Sequence, residues 1–70
     1  SQAPDRGQQD CAPAGARRFK EPPESFIVEG SAVTTAAEIY EVRLRNTSTG
    51  RQSKCTVDQN GTVTGVIELR

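Results

Sequence analysis

The sequence predicts a small α+β or mainly β domain. Its core would be an antiparallel meander sheet of three to four strands, covered on one face by an N-terminal segment with at most one short helix and stapled by a disulfide. Three observations carry this. Tyr40, Val42 and Leu44 alternate with Glu41, Arg43 and Arg45, the period-2 pattern of a half-buried strand. Two Gly-containing stretches, Asn46–Gly50 and Asp58–Gly61, separate β-rich runs. The chain's two cysteines, Cys11 and Cys55, fall one in the N-terminal segment and one inside a strand.

Taken in order, residues 1–10 are polar, contain Pro4 and Gly7 and show no periodicity, so they read as a flexible arm preceding a domain of residues 11–70. A short helix is expected from Asp10 to Lys20, with Asp10 as N-cap and Pro13 tolerated in the first turn. Gly15 weakens it, and Pro22-Pro23 ends it. Its purpose would be to hold Cys11 over the sheet, with Phe19 packed beside it.

Ser25–Gly30 reads as a short strand, and the small residues 31–37 as a connection. After the Tyr40–Leu44 strand, Asn46–Gly50 forms a hairpin loop and the chain returns through Arg51–Asp58. There Ser53, Cys55 and Val57 share a face, so Cys55 points into the core and must meet Cys11 from the layer covering that face. Asn60-Gly61 between two β-rich runs is a strong hairpin signal. In the last strand, strict alternation puts Val63, Gly65, Ile67 and Leu69 inward, and Val66 and Glu68 outward; Gly65 in mid-strand marks a bulge or a close approach.

At 70 residues, with 33% hydrophobic content, one Tyr, two Phe and no Trp, the core is thin. A chain this short buries only about 60% of the surface its unfolded form exposes. A Cys11–Cys55 bridge would close a loop of roughly 45 residues and contribute about 4 kcal/mol on the chain-entropy model. Two buried, reduced thiols in a cytosolic protein are the alternative. The bridge implies a secreted or periplasmic setting, with any signal peptide already removed. Nine basic and nine acidic residues give no net charge, which points away from nucleic acid as a partner, and no apolar run is long enough to span a membrane.

Catalytic chemistry finds little purchase. There is no His, no serine has a base nearby in sequence, and Glu29, Glu38 and Glu41 would be solvated on an open sheet. No cofactor or metal is expected. Aligning Gly61 with the invariant glycine of a calcium loop places Thr56 and Ile67 where carboxylates are required. Asn46-Thr47-Ser48 and Asn60-Gly61-Thr62 fit the glycosylation pattern, but these residue types are also what turns use. The candidate binding residues are Arg43, Arg45, Arg51 and Lys54 on the polar face, with Val66 and Glu68 on the outer face and edge of the last strand.

Cys11, Phe26-Ile27-Val28, Tyr40-Glu41-Val42-Arg43-Leu44 and Lys54-Cys55-Thr56-Val57 followed by Asp58-Gln59-Asn60-Gly61-Thr62-Val63 together resemble small secreted bacterial domains in the style of PepSY domains. The resemblance spans residues 11–69 and implies a helix-covered antiparallel sheet, an extracytoplasmic location and a binding or inhibitory role. Pro13 and Gly15 depart from the solid helix of that pattern. The expected function is therefore a non-catalytic protein-binding module, an inhibitor or an accessory subunit. The alternative is a structural piece completed by neighbouring chains or by homodimerisation through a sheet edge.

Overall fold

The computed structural model describes residues 2–36 and 38–69. Ser1, Ala37 and Arg70, which are the first residue of the expected arm, the last of the expected connection and the final residue of the chain, lie outside them. Helix α1 (Asp5–Phe19) is followed by one 3-10 turn (Pro23–Ser25) and four strands, β1 (Phe26–Val33), β2 (Ile39–Asn46), β3 (Gln52–Asp58) and β4 (Val63–Leu69). The strands form one antiparallel sheet in the order β1-β2-β3-β4. The predicted meander is present with its fourth strand, and α1 covers one face.

The helix is the main correction to the sequence reading. It begins at Asp5 rather than Asp10 and runs for 15 residues through both Gly15 and Pro13. Residues 5–10, expected to be a flexible arm, are thus helical. Ala3 just before them is buried, its N–H donating to Ser31 Oγ at 2.7 Å. The physical reason lies in the face that meets the sheet, where Gly7, Cys11, Ala14 and Gly15 are buried at helical spacing. A Cβ on Gly7 would collide with Val57 Cγ1, and one on Gly15 would stand 3.3 Å from Leu44 Cδ1. Residues that lower intrinsic helicity are those that let the helix approach, and tertiary packing outweighs their propensity. Pro13 removes one N–H, leaving the carbonyl of Gln9 without its usual donor; Gln9 is exposed, so water can serve instead. Lys20 ends the helix in the left-handed conformation (φ 57°), its N–H returning to the Ala16 carbonyl.

Cys11 and Cys55 are bonded, with Cα atoms 5.9 Å apart and both residues fully buried. Around them lie Val42, Leu44, Val57, Phe26, Ala3 and Ala16. Cys55 is therefore the joint between sheet and helix that its inward position predicts.

β3 matches expectation to within a residue, while β2 runs on through Asn46, the first residue of the expected hairpin loop. β1 is longer than Ser25–Gly30 and extends through Val33, with a bulge at Glu29. In β4 a second bulge overturns three of the four residues expected inward. Thr56 pairs with Gly65 but Val57 with Val63, so Thr64 is the extra residue. The bulge inverts the alternation after Val63. Val66 and Glu68 now share the helix-facing side with Cys55 and Ser53, while Gly65, Ile67 and Leu69 lie on the outer face. Ile67, expected in the core, is 53% exposed, and Val66 packs against the core instead.

Candidate functional site: a sheet edge and the groove beside it

The residues singled out in the sequence separate into two places. Arg43, Arg45 and Lys54 share the outer face, as alternation requires. Two of these cations are engaged: Arg45 Nε lies 3.1 Å from Glu29 Oε2, and Lys54 Nζ lies 3.3 Å from Glu41 Oε1. Gln52 Nε2 joins the first pair by donating to Glu29 Oε1 at 3.3 Å. Arg43 is exposed between them and makes no ion pair among the described residues. Exposed pairs of this kind contribute about 0–1 kcal/mol each, and they interleave charges rather than assemble a basic patch.

Arg51 is not part of that group. It stands at the β2–β3 loop on the helix side of the sheet, where its Nη1 donates to Glu68 Oε2 at 3.1 Å. Glu68 is opposite Ser53, and Val66 opposite Cys55. Neither Val66 nor Glu68 lies on the outer face where strict alternation places it; both turn their side chains to the helix side.

Their backbone groups point elsewhere. Asn46 N–H donates to the Arg51 carbonyl, so along the uninterrupted β2–β3 register the residues of β3 that bond β2 are Ser53, Cys55 and Val57. Gln52, Lys54 and Thr56 must then bond β4, through Leu69, Ile67 and Gly65. The N–H and C=O groups of Val66 and Glu68 therefore face away from the sheet, along its open edge. Beyond the bulge, Gly65–Leu69 is regular and no other described strand pairs with it. The opposite edge, on β1, is interrupted mid-strand by the Glu29 bulge and approached by Ala3. Of the two, β4 is the edge better able to accept another strand.

Beside this edge lies a groove that sequence reasoning did not find. The first turns of α1 pack on the β3–β4 turn, where Gly61 (φ 87°) sits against Arg6 and Pro4, and the last turns reach Phe26 and Leu44. The helix thus crosses the sheet diagonally and leaves the corner near the β2–β3 loop uncovered. The resulting hollow holds about 540 Å³ and is lined by Phe19, Glu21, Phe26, Asn46, Arg51, Ser53 and Glu68 among others. Phe19 and Phe26 are stacked with centroids 6.3 Å apart, and the Arg18 guanidinium lies 5.2 Å from the Phe19 centroid. Ser53 is 3% exposed and its Oγ has no hydrogen-bond partner among the described residues. Such a group costs about 1–3 kcal/mol, which a fold retains only where something offsets it. The one available signal in the sequence was a small hydroxyl on the inward side of β3; the diagonal of the helix leaves no local pattern.

Asn46 is buried, and its Oδ1 accepts from the backbone N–H groups of Ser48 and Thr49 at 2.8 and 3.2 Å. Its side chain is therefore turn chemistry, as the bland reading of that tripeptide has it. Among the described residues no cluster of three or more His, Cys, Asp or Glu side chains is placed to hold a metal ion. No described helix is long and apolar enough to cross a membrane. Comparison with protein-family models, with curated proteins and with solved structures returned no match.

Proposed function

We propose that this chain is a small, non-catalytic protein-binding module that takes an extended segment of its partner onto the edge of β4. The observation that carries this is the regular run Gly65–Leu69, with the backbone groups of Val66 and Glu68 turned outward. Main-chain pairing at such an edge supplies affinity without needing a catalytic group. The buried Cys11–Cys55 bond fits an oxidising compartment, so the module would act in a secreted or periplasmic setting, as an inhibitor or as an accessory subunit. The resemblance to small secreted PepSY-style domains is in keeping with that role.

A second reading has its own support. The outer face is bare among the described residues and exposes Ile27 (39%) and Ile67 (53%). A subunit completed by neighbours, or by a second copy pairing through β4, would use these surfaces.

The test is a titration of the isotope-labelled chain with a panel of short extended peptides of alternating Val and Thr, each with a different central residue, alongside light scattering at two concentrations. Binding at the edge shifts the amide signals of Val66 and Glu68 and leaves the chain monomeric when free. A dimer that forms at the higher concentration and protects the same amides selects the second reading. Edge signals unmoved by every peptide, in a monomeric chain, would refute the first.

A further inference from the structure

We propose that the groove beside β4 is a specificity pocket for a basic side chain, lysine or arginine, carried on the partner's extended segment at the position opposite Glu68. This deepens the edge-binding reading and rests on it. The placement follows from sheet geometry. A residue directly across from Glu68 in an added antiparallel strand projects its side chain on the same face as Glu68, and that is the helix side where the groove opens. The partner's side chain at that one position enters the hollow, while its neighbours on either side point to the outer face.

The chemistry of the lining selects the occupant. The walls near the helix are the rings of Phe19 and Phe26, apolar surfaces suited to the methylene stem of a long side chain. The charged members are two carboxylates, Glu21 and Glu68, against the single guanidinium of Arg51. Arg51 is already bound to Glu68, and Glu21 makes no ion pair among the described residues, so the lining itself carries one negative charge in excess, with the Arg18 guanidinium beyond it over the Phe19 ring. Of the donors in the lining, Arg51 Nη1 serves Glu68, while the Gln52 side chain turns to Glu29 on the outer face. The hydroxyl oxygen of Ser53 stands unpartnered beneath. The acceptors it offers, the Glu21 and Glu68 carboxylates and Ser53 Oγ, suit a ligand that presents several N–H donors and a positive charge. Arg51 holds the place in the free protein. Its side chain is 72% exposed, and a pair so open to solvent gives way readily to a better-placed cation.

The experiment uses the peptide panel with arginine, citrulline or glutamate at the central position, and n-butylguanidinium as a probe of the pocket alone. Arginine should bind about tenfold more tightly than citrulline, the effect of one charge-assisted contact, and glutamate more weakly still. Glu68→Gln and Glu21→Gln should each erase most of that preference, whereas Arg51→Ala, which frees Glu68, should strengthen arginine binding. n-Butylguanidinium should shift the signals of Phe19, Glu21 and Ser53 without moving Val66. Equal binding of the arginine and citrulline peptides, with the edge amides shifted by both, overturns the pocket while leaving the edge reading intact. Edge amides that no peptide moves overturn the edge reading; the pocket then fails with it unless n-butylguanidinium still shifts Phe19, Glu21 and Ser53. Absence of any shift with that probe overturns the pocket.

Discussion

Gly7→Ala tests how the helix is seated, because two effects of opposite sign meet at one methyl group. In a helix interior, Ala is favoured over Gly by about 0.8–1 kcal/mol, so intrinsic propensity alone makes the variant more stable. The structure predicts the reverse. The added Cβ would collide with Val57 Cγ1 and lie 3.2 Å from both Cβ and Cγ2 of the same residue. Val57 is fully buried and belongs to the small core, so its methyls have little room to turn away. Forcing an extra carbon into a packed site typically costs 1–3 kcal/mol. The net is a destabilisation of about 1 kcal/mol, or a melting temperature lower by about 4–8 °C in a domain of this size. Thermal unfolding under non-reducing conditions reads it directly. Two controls isolate the cause. Gly30→Ala, with nothing within 4 Å of the new methyl, should change stability by less than about 0.5 kcal/mol. In a Val57→Ala background the cost of Gly7→Ala should largely vanish, since the colliding Cγ1 is gone and only the 3.2 Å contact with Cβ is left to oppose propensity. A Gly7→Ala protein that melts above the parent would refute close approach as the reason for glycine at this position.

Cys55→Ser should be the most damaging change on β3. It opens a loop whose ends are 44 residues apart, worth about 4 kcal/mol, and leaves hydroxyl and thiol in a fully buried site, while Lys54→Ala on the outer face should cost less than about 1 kcal/mol. Equal denaturation midpoints for the two variants would contradict this. Intact mass with and without reductant should differ by two hydrogens, and alkylation should label both cysteines after reduction alone. Ser53→Ala should raise stability by about 1 kcal/mol, because it removes a buried hydroxyl with no partner. A clear loss on denaturant unfolding would mean that the hydroxyl is satisfied in solution.

The sheet was readable because its strands obey local rules. β2 and β3 alternate strictly, and the β2–β3 and β3–β4 hairpins each carry a glycine in the left-handed region, Gly50 at φ 75° and Gly61 at φ 87°. The pairing of Cys11 with Cys55 followed from the inward parity of Cys55 together with the need for a covering layer. The helix was only half legible. Gly7, Pro13 and Gly15 are local evidence against helix, yet Gly7 and Gly15 are present because the sheet lies so close, a non-local cause that no window of sequence contains. The inward set of β4 failed for a related reason. Gly65 pointed to an irregularity, but its position one residue earlier, at Thr64, decides which face Ile67, Val66 and Glu68 take. The candidate site inherited both errors. Val66 and Glu68 belong to the edge through their backbones rather than to the outer face through their side chains. The groove exists only where a diagonal helix stops covering the sheet.

Hydrogen exchange of the β4 amides, followed residue by residue in the free monomer, measures the central feature most directly. An open edge predicts that Val66 and Glu68 exchange at close to unprotected rates while Gly65 and Ile67, bonded to Thr56 and Lys54, exchange slowly. Addition of a bound strand should then slow Val66 and Glu68 alone. Val66 and Glu68 amides as protected as that of Ile67 in the free monomer would contradict the account, because the edge would already be covered.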